Sequence, residues 1–142
     1  MPRFVDLSLD AKKATTKDIA GALSSGAHLA LGGCLVDPKN ANGKCPPAIK
    51  AALGSSSCWP DTFKVFLQDG GITPVSSYSL NFTVNGQSYQ SNRITTTPQC
   101  NGSDGPTDVN VCYLFPTKAD FSASLPGITN TQEIQFTIPC LP

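Results

Sequence analysis

Charge is what this sequence has least of. Charged residues make up 14% of its 142 residues, against about 25% in an average soluble protein. Lysine plus arginine balances aspartate plus glutamate, and the formal net charge is zero. A protein that holds nucleic acid carries a basic face, and none is present here. Lys12, Lys13 and Lys17 form the one local cluster, which reads as the solvated start of a helix. Nucleic acid is therefore not an expected partner.

Other absences narrow the chemistry. His28 is the only histidine and no C-x-x-C pair occurs, so the close thiolate and imidazole donors of a zinc site are missing. Glu133 is the only glutamate, and it lies in an alternating segment that explains it without paired-carboxylate glycoside chemistry. No G-x-S-x-G elbow is present, and Ser24 and Ser25 fall on the same helix as His28. A histidine late in a helix is expected to bond to backbone carbonyls rather than to act as a base. No glycine loop of the phosphate-cradling kind occurs. No cofactor and no enzymatic activity are expected, and a small hydrolase using scattered aspartates ranks last among the readings. Nor is there a run of about 18 apolar residues, so no membrane span is expected. Residues 4–9, FVDLSL, are broken by Asp6 and do not make a signal peptide. If the chain is exported, the expectation is that a natural signal has been removed and that Met1 is a foreign start.

Cysteine is present in quantity, at 34, 45, 58, 100, 112 and 140. An even count in a low-charge chain points to three disulfides and an oxidising, extracellular compartment. Fifteen pairings are possible. Loop geometry favours Cys100–Cys112 across the turn-rich NGSDGPTDVNV and Cys34–Cys45 across DPKNANGK, which leaves Cys58–Cys140. Two glycosylation sequons, at Asn81 and Asn101, suit the same compartment. Asp104 and Asp108, with Asn101 and Ser103, sit where a tied loop holds calcium, but no glutamate closes an EF-hand and turn chemistry accounts for them.

The architecture follows from periodicity. Residues 4–9 alternate as a short strand. Thr15 or Thr16 is placed to cap a helix with Asp18 in its first turn, carried by Ile19, Leu23, Ala27 and Leu31 and stopped at Gly32-Gly33. Pro46-Pro47 opens a second short helix ending at Gly54. Strands are expected at 62–68, with Phe63, Val65 and Leu67 on one face, and at 78–84, with Tyr78, Leu80, Phe82 and Val84 on one face. Asn85-Gly86 then makes a type I′ hairpin turn into a polar return arm, 87–94. Further strands fall at 109–115, with Val109, Val111, Tyr113 and Phe115 inward, at 121–125, and at 132–139, with Ile134, Phe136 and Ile138 inward. The prediction is one α+β domain over 1–142, mostly antiparallel sheet. Residues 1–60 supply a strand and two short N-terminal helices; residues 61–142 supply the sheet, either sandwich-like or a single sheet covered by the helices.

Three residues stand out as binding candidates. Tyr89 and Arg93 alternate along the polar hairpin arm and are expected to form an exposed recognition face. Trp59, beside Cys58, is a candidate for stacking, with packing on a disulfide as the alternative. The leading functional expectation is a secreted, non-catalytic module that binds a protein or glycan surface. The alternative is a structural subunit that assembles with copies of itself into a filament, coat or capsid, since a near-neutral surface does little to oppose self-association.

Overall fold

The computed structural model describes residues 9–54, 58–67, 71–94, 99–100 and 109–142. The first element is a 28-residue helix, α1, Leu9–Val36. It is followed by α2, Pro47–Leu53, by the single turn α3, Pro60–Phe63, and by a 3-10 turn, Lys64–Phe66. Five strands complete the chain: β1 Thr73–Pro74, β2 Asn81–Val84, β3 Gln87–Arg93, β4 Val109–Pro116 and β5 Gln135–Pro139. They form one antiparallel sheet in the order β1-β2-β3-β4-β5. The fold is thus α+β, antiparallel and stapled by three disulfides, with the helices on one face of a single sheet.

α1 is far longer than expected. The expected strand at 4–9 lies outside the described residues except for Leu9, which is already helical. Thr15 and Thr16 are not caps. Their hydroxyls donate to the carbonyls of Ala11 and Lys12, one turn back, at 3.1 and 2.7 Å, the bonding of helix-interior threonines. Gly32-Gly33 do not stop the helix either. It ends where Asp37 donates its N–H to the Gly33 carbonyl and Pro38 bars a further turn. α1 also meets, by length and composition only, the test for a membrane-crossing helix. Its inner face, with Ile19, Leu23, Ala27 and Cys34, is buried in the protein core.

Segment 62–68 is the second correction. Through Phe66 it is helical, not extended. Pro60 is pre-set for a first helical turn, and Phe63 and Phe66, three residues apart, are the pair that is buried. The third concerns β4. Asn110, Cys112 and Leu114 point inward and are fully buried, while Val109, Val111 and Tyr113 lie on the opposite face. The strand exists as predicted but in the other phase, and one residue of phase exchanges the two faces. Segment 121–125 forms no strand; a single bridge joins Thr117 to Ser124. Tyr78 lies before β2 and is 89% exposed.

Other expectations hold. Asn85 and Gly86 take φ of 50° and 82°, and Val84 pairs with Gln87 across the turn. Ile134, Phe136 and Ile138 are buried. The core is knitted by aromatics: the Phe63 ring lies edge-on to Phe82 and Phe136, at centroid distances of 5.6 and 5.3 Å. Each such pair adds about 0.5–1.5 kcal/mol beyond its buried area.

The disulfides are Cys34–Cys45, Cys58–Cys112 and Cys100–Cys140. Only the first is the pairing expected from loop geometry. The phase of β4 explains the other two. Cys112 faces the core, where Cys58 arrives just ahead of α3. The Cys100 N–H donates to the Asn110 side chain at 2.7 Å, and Val109 pairs with Pro139, so Cys100 is set beside Cys140 rather than Cys112.

Candidate interaction surfaces

The sequence singled out Tyr89, Arg93 and Trp59. Tyr89 is not on an exposed face: it is 2% exposed and stacks on Phe82 at 5.4 Å. Burial pushes its phenol above the ordinary tyrosine range, opposed by a hydrogen bond with the Thr16 side chain. Arg93 is half-buried at the far end of β3, opposite Cys112. Trp59 precedes α3, and its carbonyl accepts the N–H groups of Thr62 and Phe63; the residue is 37% exposed. The three do not form one face. Tyr89 and Arg93 share a side of β3, but it is the side turned to the core.

His28 is exposed, and its Nδ1 donates to the Ser24 carbonyl at 2.7 Å, since a carbonyl can only accept. The Ser24 hydroxyl has a different task. It accepts the N–H of Thr137 at 2.9 Å, on the side of β5 turned away from β4. α1 thereby closes an otherwise open sheet edge, the kind that invites unwanted strand pairing. Among the described residues, no group of three or more His, Cys, Asp or Glu side chains is arranged to hold a metal ion. Asn101, Ser103, Asp104 and Asp108 lie outside the described residues. Asn81 begins β2, half-buried, and its Oδ1 is shut from solvent without a partner.

The Cys34–Cys45 loop is built around Asp37. Its carboxylate accepts the N–H groups of Ala41, Asn42 and Lys44 at 2.8, 2.9 and 3.0 Å. Asn40, at φ 57°, accepts the Cys45 N–H through its own side chain. Asp37 is only 5% exposed, yet the cover is a thin layer of loop backbone rather than deep protein. The Lys44 N–H leads in holding its carboxyl below the usual range, against a smaller opposing effect of burial and with help from the other two N–H groups and the Lys44 charge.

Two surfaces remain. One is a cleft of about 380 Å³ between the first half of α1 and the β2–β3 hairpin. Ile19, Ala22, Leu67 and Val84 line it, with Lys12, Asp18, Asn85 and Gln87 around them. The other is the outer face of α1. Gly21, Ser25, His28, Leu29, Gly32, Leu35 and Val36 are exposed, Leu29 by 79% and Val36 by 71%. At 100° per residue they form a stripe opposite Ile19, Leu23, Ala27 and Cys34. No Asp, Glu, Lys or Arg occurs in the chain between Asp18 and Asp37. Apolar spacing in the sequence marks the inner stripe alone. The outer one was accessible from the same helical phase, once the uncharged run was recognised as a single helix.

Comparison of the chain with protein-family models, with curated proteins and with solved structures finds no match.

Proposed function

We propose that this chain is a structural subunit of an extracellular assembly, which packs against copies of itself through the outer face of α1. The observation that carries this reading is the composition of that face. A helix lying on a soluble protein ordinarily shows charged side chains to water. Here its last eighteen residues, 19–36, include no Asp, Glu, Lys or Arg, with His28 the one exposed titratable side chain among them, and of the most apolar 18-residue window only 28% is buried. Leu29, Leu35 and Val36 stand out of a stripe of Gly21, Ser25, Gly32 and the titratable His28, and small residues let a second helix approach closely. Three disulfides suit a particle that works outside the cell. The balanced charge adds no long-range repulsion between copies. The rival reading, a binding module using Tyr89 with Arg93, loses its aromatic to the core.

The test is mass against concentration, by light scattering, with electron microscopy of the concentrated sample. Assembly is expected to rise with concentration. Leu29→Glu should abolish it while the melting temperature stays within a few degrees, because surface substitutions usually change stability by no more than about 0.5 kcal/mol. A parent protein that stays monomeric at high concentration without ordered particles, or a Leu29→Glu variant that still assembles, would remove this function.

A further inference from the structure

His28 stands at the middle of the outer face of α1. The stripe runs from Gly21 to Val36, and residues 28 and 29 are its midpoint. The His28 Nδ1–H donates to the Ser24 carbonyl at 2.7 Å. That bond fixes the tautomer of the neutral ring and leaves Nε2 as a bare acceptor on an exposed side chain. The neighbours one turn away, Ser24, Ser25, Leu31 and Gly32, carry no charge. Along the chain the nearest charged residues are Asp18 and Asp37, ten and nine positions off. At 1.5 Å per residue that is about 13–15 Å, beyond the Debye length of about 8 Å at physiological salt. The elements packed against α1 offer no free anion either. β4 and β5 hold no charged residue, α2 holds Lys50, and the 3-10 turn holds Lys64, which is paired with Asp61 at 3.0 Å. Glu133 lies two residues ahead of β5, and among the described residues neither it nor any other carboxylate pairs with His28.

Given the assembly proposed above, on which this rests, we propose that His28 makes it pH-dependent: copies associate through α1 while the ring is neutral and part when it is protonated. Histidine is the side chain that ordinarily changes charge between pH 5 and 8. The neutral ring adds an apolar body and one acceptor to the face. A serine hydroxyl such as that of Ser25 can satisfy this acceptor across an interface. After protonation Nε2 becomes a donor and the ring a cation. A second copy brings the same face, and with it no carboxylate to receive that charge. Enclosing the cation between two helices then costs more than leaving it in water. The sign follows. Packed copies bind the proton less well than a free copy does, so association releases protons and weakens as pH falls. Each enclosed histidine changes the association constant by up to about tenfold per pH unit.

The experiment is light scattering against concentration at about pH 7.5 and about pH 5, on the full chain and on two variants of position 28. His28 is the only histidine, and carboxylates keep most of their charge down to about pH 5, so among the side chains this interval isolates the imidazole. The parent should associate at the higher pH, with an association constant at least about tenfold smaller at the lower. His28→Gln, neutral throughout, should associate alike at both. His28→Lys, cationic throughout, should stay monomeric at both. All three should share one melting temperature at the higher pH to within a few degrees, because the side chain is exposed. The switch is overturned if the parent associates equally at the two pH values. It is overturned equally if His28→Gln keeps the parent's pH dependence, or if His28→Lys associates as the parent does at the higher pH. Those three outcomes leave the assembly itself standing. A parent that is monomeric at both pH values removes the assembly and the switch together.

Discussion

Asp37 shows how much one side chain can organise. Three backbone N–H groups converge on its carboxylate, and they favour the ionised form. Its folded pKa is therefore depressed, and the sign of the linkage follows. The stabilisation is fully present above the ordinary aspartate value of about 3.9. It is lost as pH falls through the lower folded value. Asp37→Asn should melt below the parent at pH 7, and the gap should narrow as pH falls below the ordinary aspartate value and the carboxylate takes up its proton. A gap that keeps its size as pH falls would show that the carboxylate charge is not what holds the loop. The loop itself was legible as a turn-rich run between two cysteines; the role of Asp37 was not, because it depends on backbone N–H groups four to seven residues away. Tyr89 misled for a related reason. Gln87, Ser88, Gln90 and Ser91 around it look like a wet strand, yet Ser88 and Ser91 are buried, and their hydroxyls have the Ala119 and Cys58 carbonyls to bond to, at 3.5 and 3.0 Å.

Among the elements, α1 was read half correctly. Its inner positions Ile19, Leu23 and Ala27 follow directly from helical spacing. Its length does not, because Thr15, Thr16 and Gly32-Gly33 carry the residue signals of helix ends. The glycines have two different meanings. A Cβ at Gly26 would run into the Phe66 carbonyl oxygen, and one at Gly33 into that of Lys44, whereas Gly21 and Gly32 have nothing within 4 Å. Helix propensity alone favours alanine over glycine by about 0.8–1.0 kcal/mol. Gly21→Ala should therefore raise stability by up to about that amount. Gly26→Ala should lower it despite the same propensity gain, since α1 must lift off the 3-10 turn. Chemical denaturation of the two variants checks this, and a stabilised Gly26→Ala protein would contradict the close approach. β4 and β5 make a similar contrast. Alternation located both strands, but only β5 in the right phase. In β4 the aromatic-rich phase was the natural choice for the core, and the disulfide to Cys58 together with the fully buried Asn110 fixes the other one.

For the whole molecule, the antiparallel α+β class and the Asn85-Gly86 hairpin were legible, because both rest on local patterns. The pairing of four of the six cysteines was not, because it depends on where the strand ends lie in space. That pairing changes what the cross-links do. Spans of 54 and 40 residues replace one short loop and one very long one. In the chain-entropy model each is worth roughly 4 kcal/mol, against a total of about 5–15 kcal/mol for an ordinary domain. The two spans also interleave: 58–112 overlaps 100–140, while 34–45 stands alone. Viewed as a graph of covalent bonds, the stretch between the first and last cysteines has one run that no cross-link bridges, from Cys45 to Cys58. A protease that cuts once anywhere between Cys58 and Cys140 leaves a single particle, and its two pieces part only on reduction. One cut after Lys50 frees the helical third of the chain without any reductant. Limited trypsin digestion on paired gels, with and without reductant, should show this difference. The outer face of α1 is joined to the sheet by this one uncross-linked length of peptide, the place where a protease could detach one from the other.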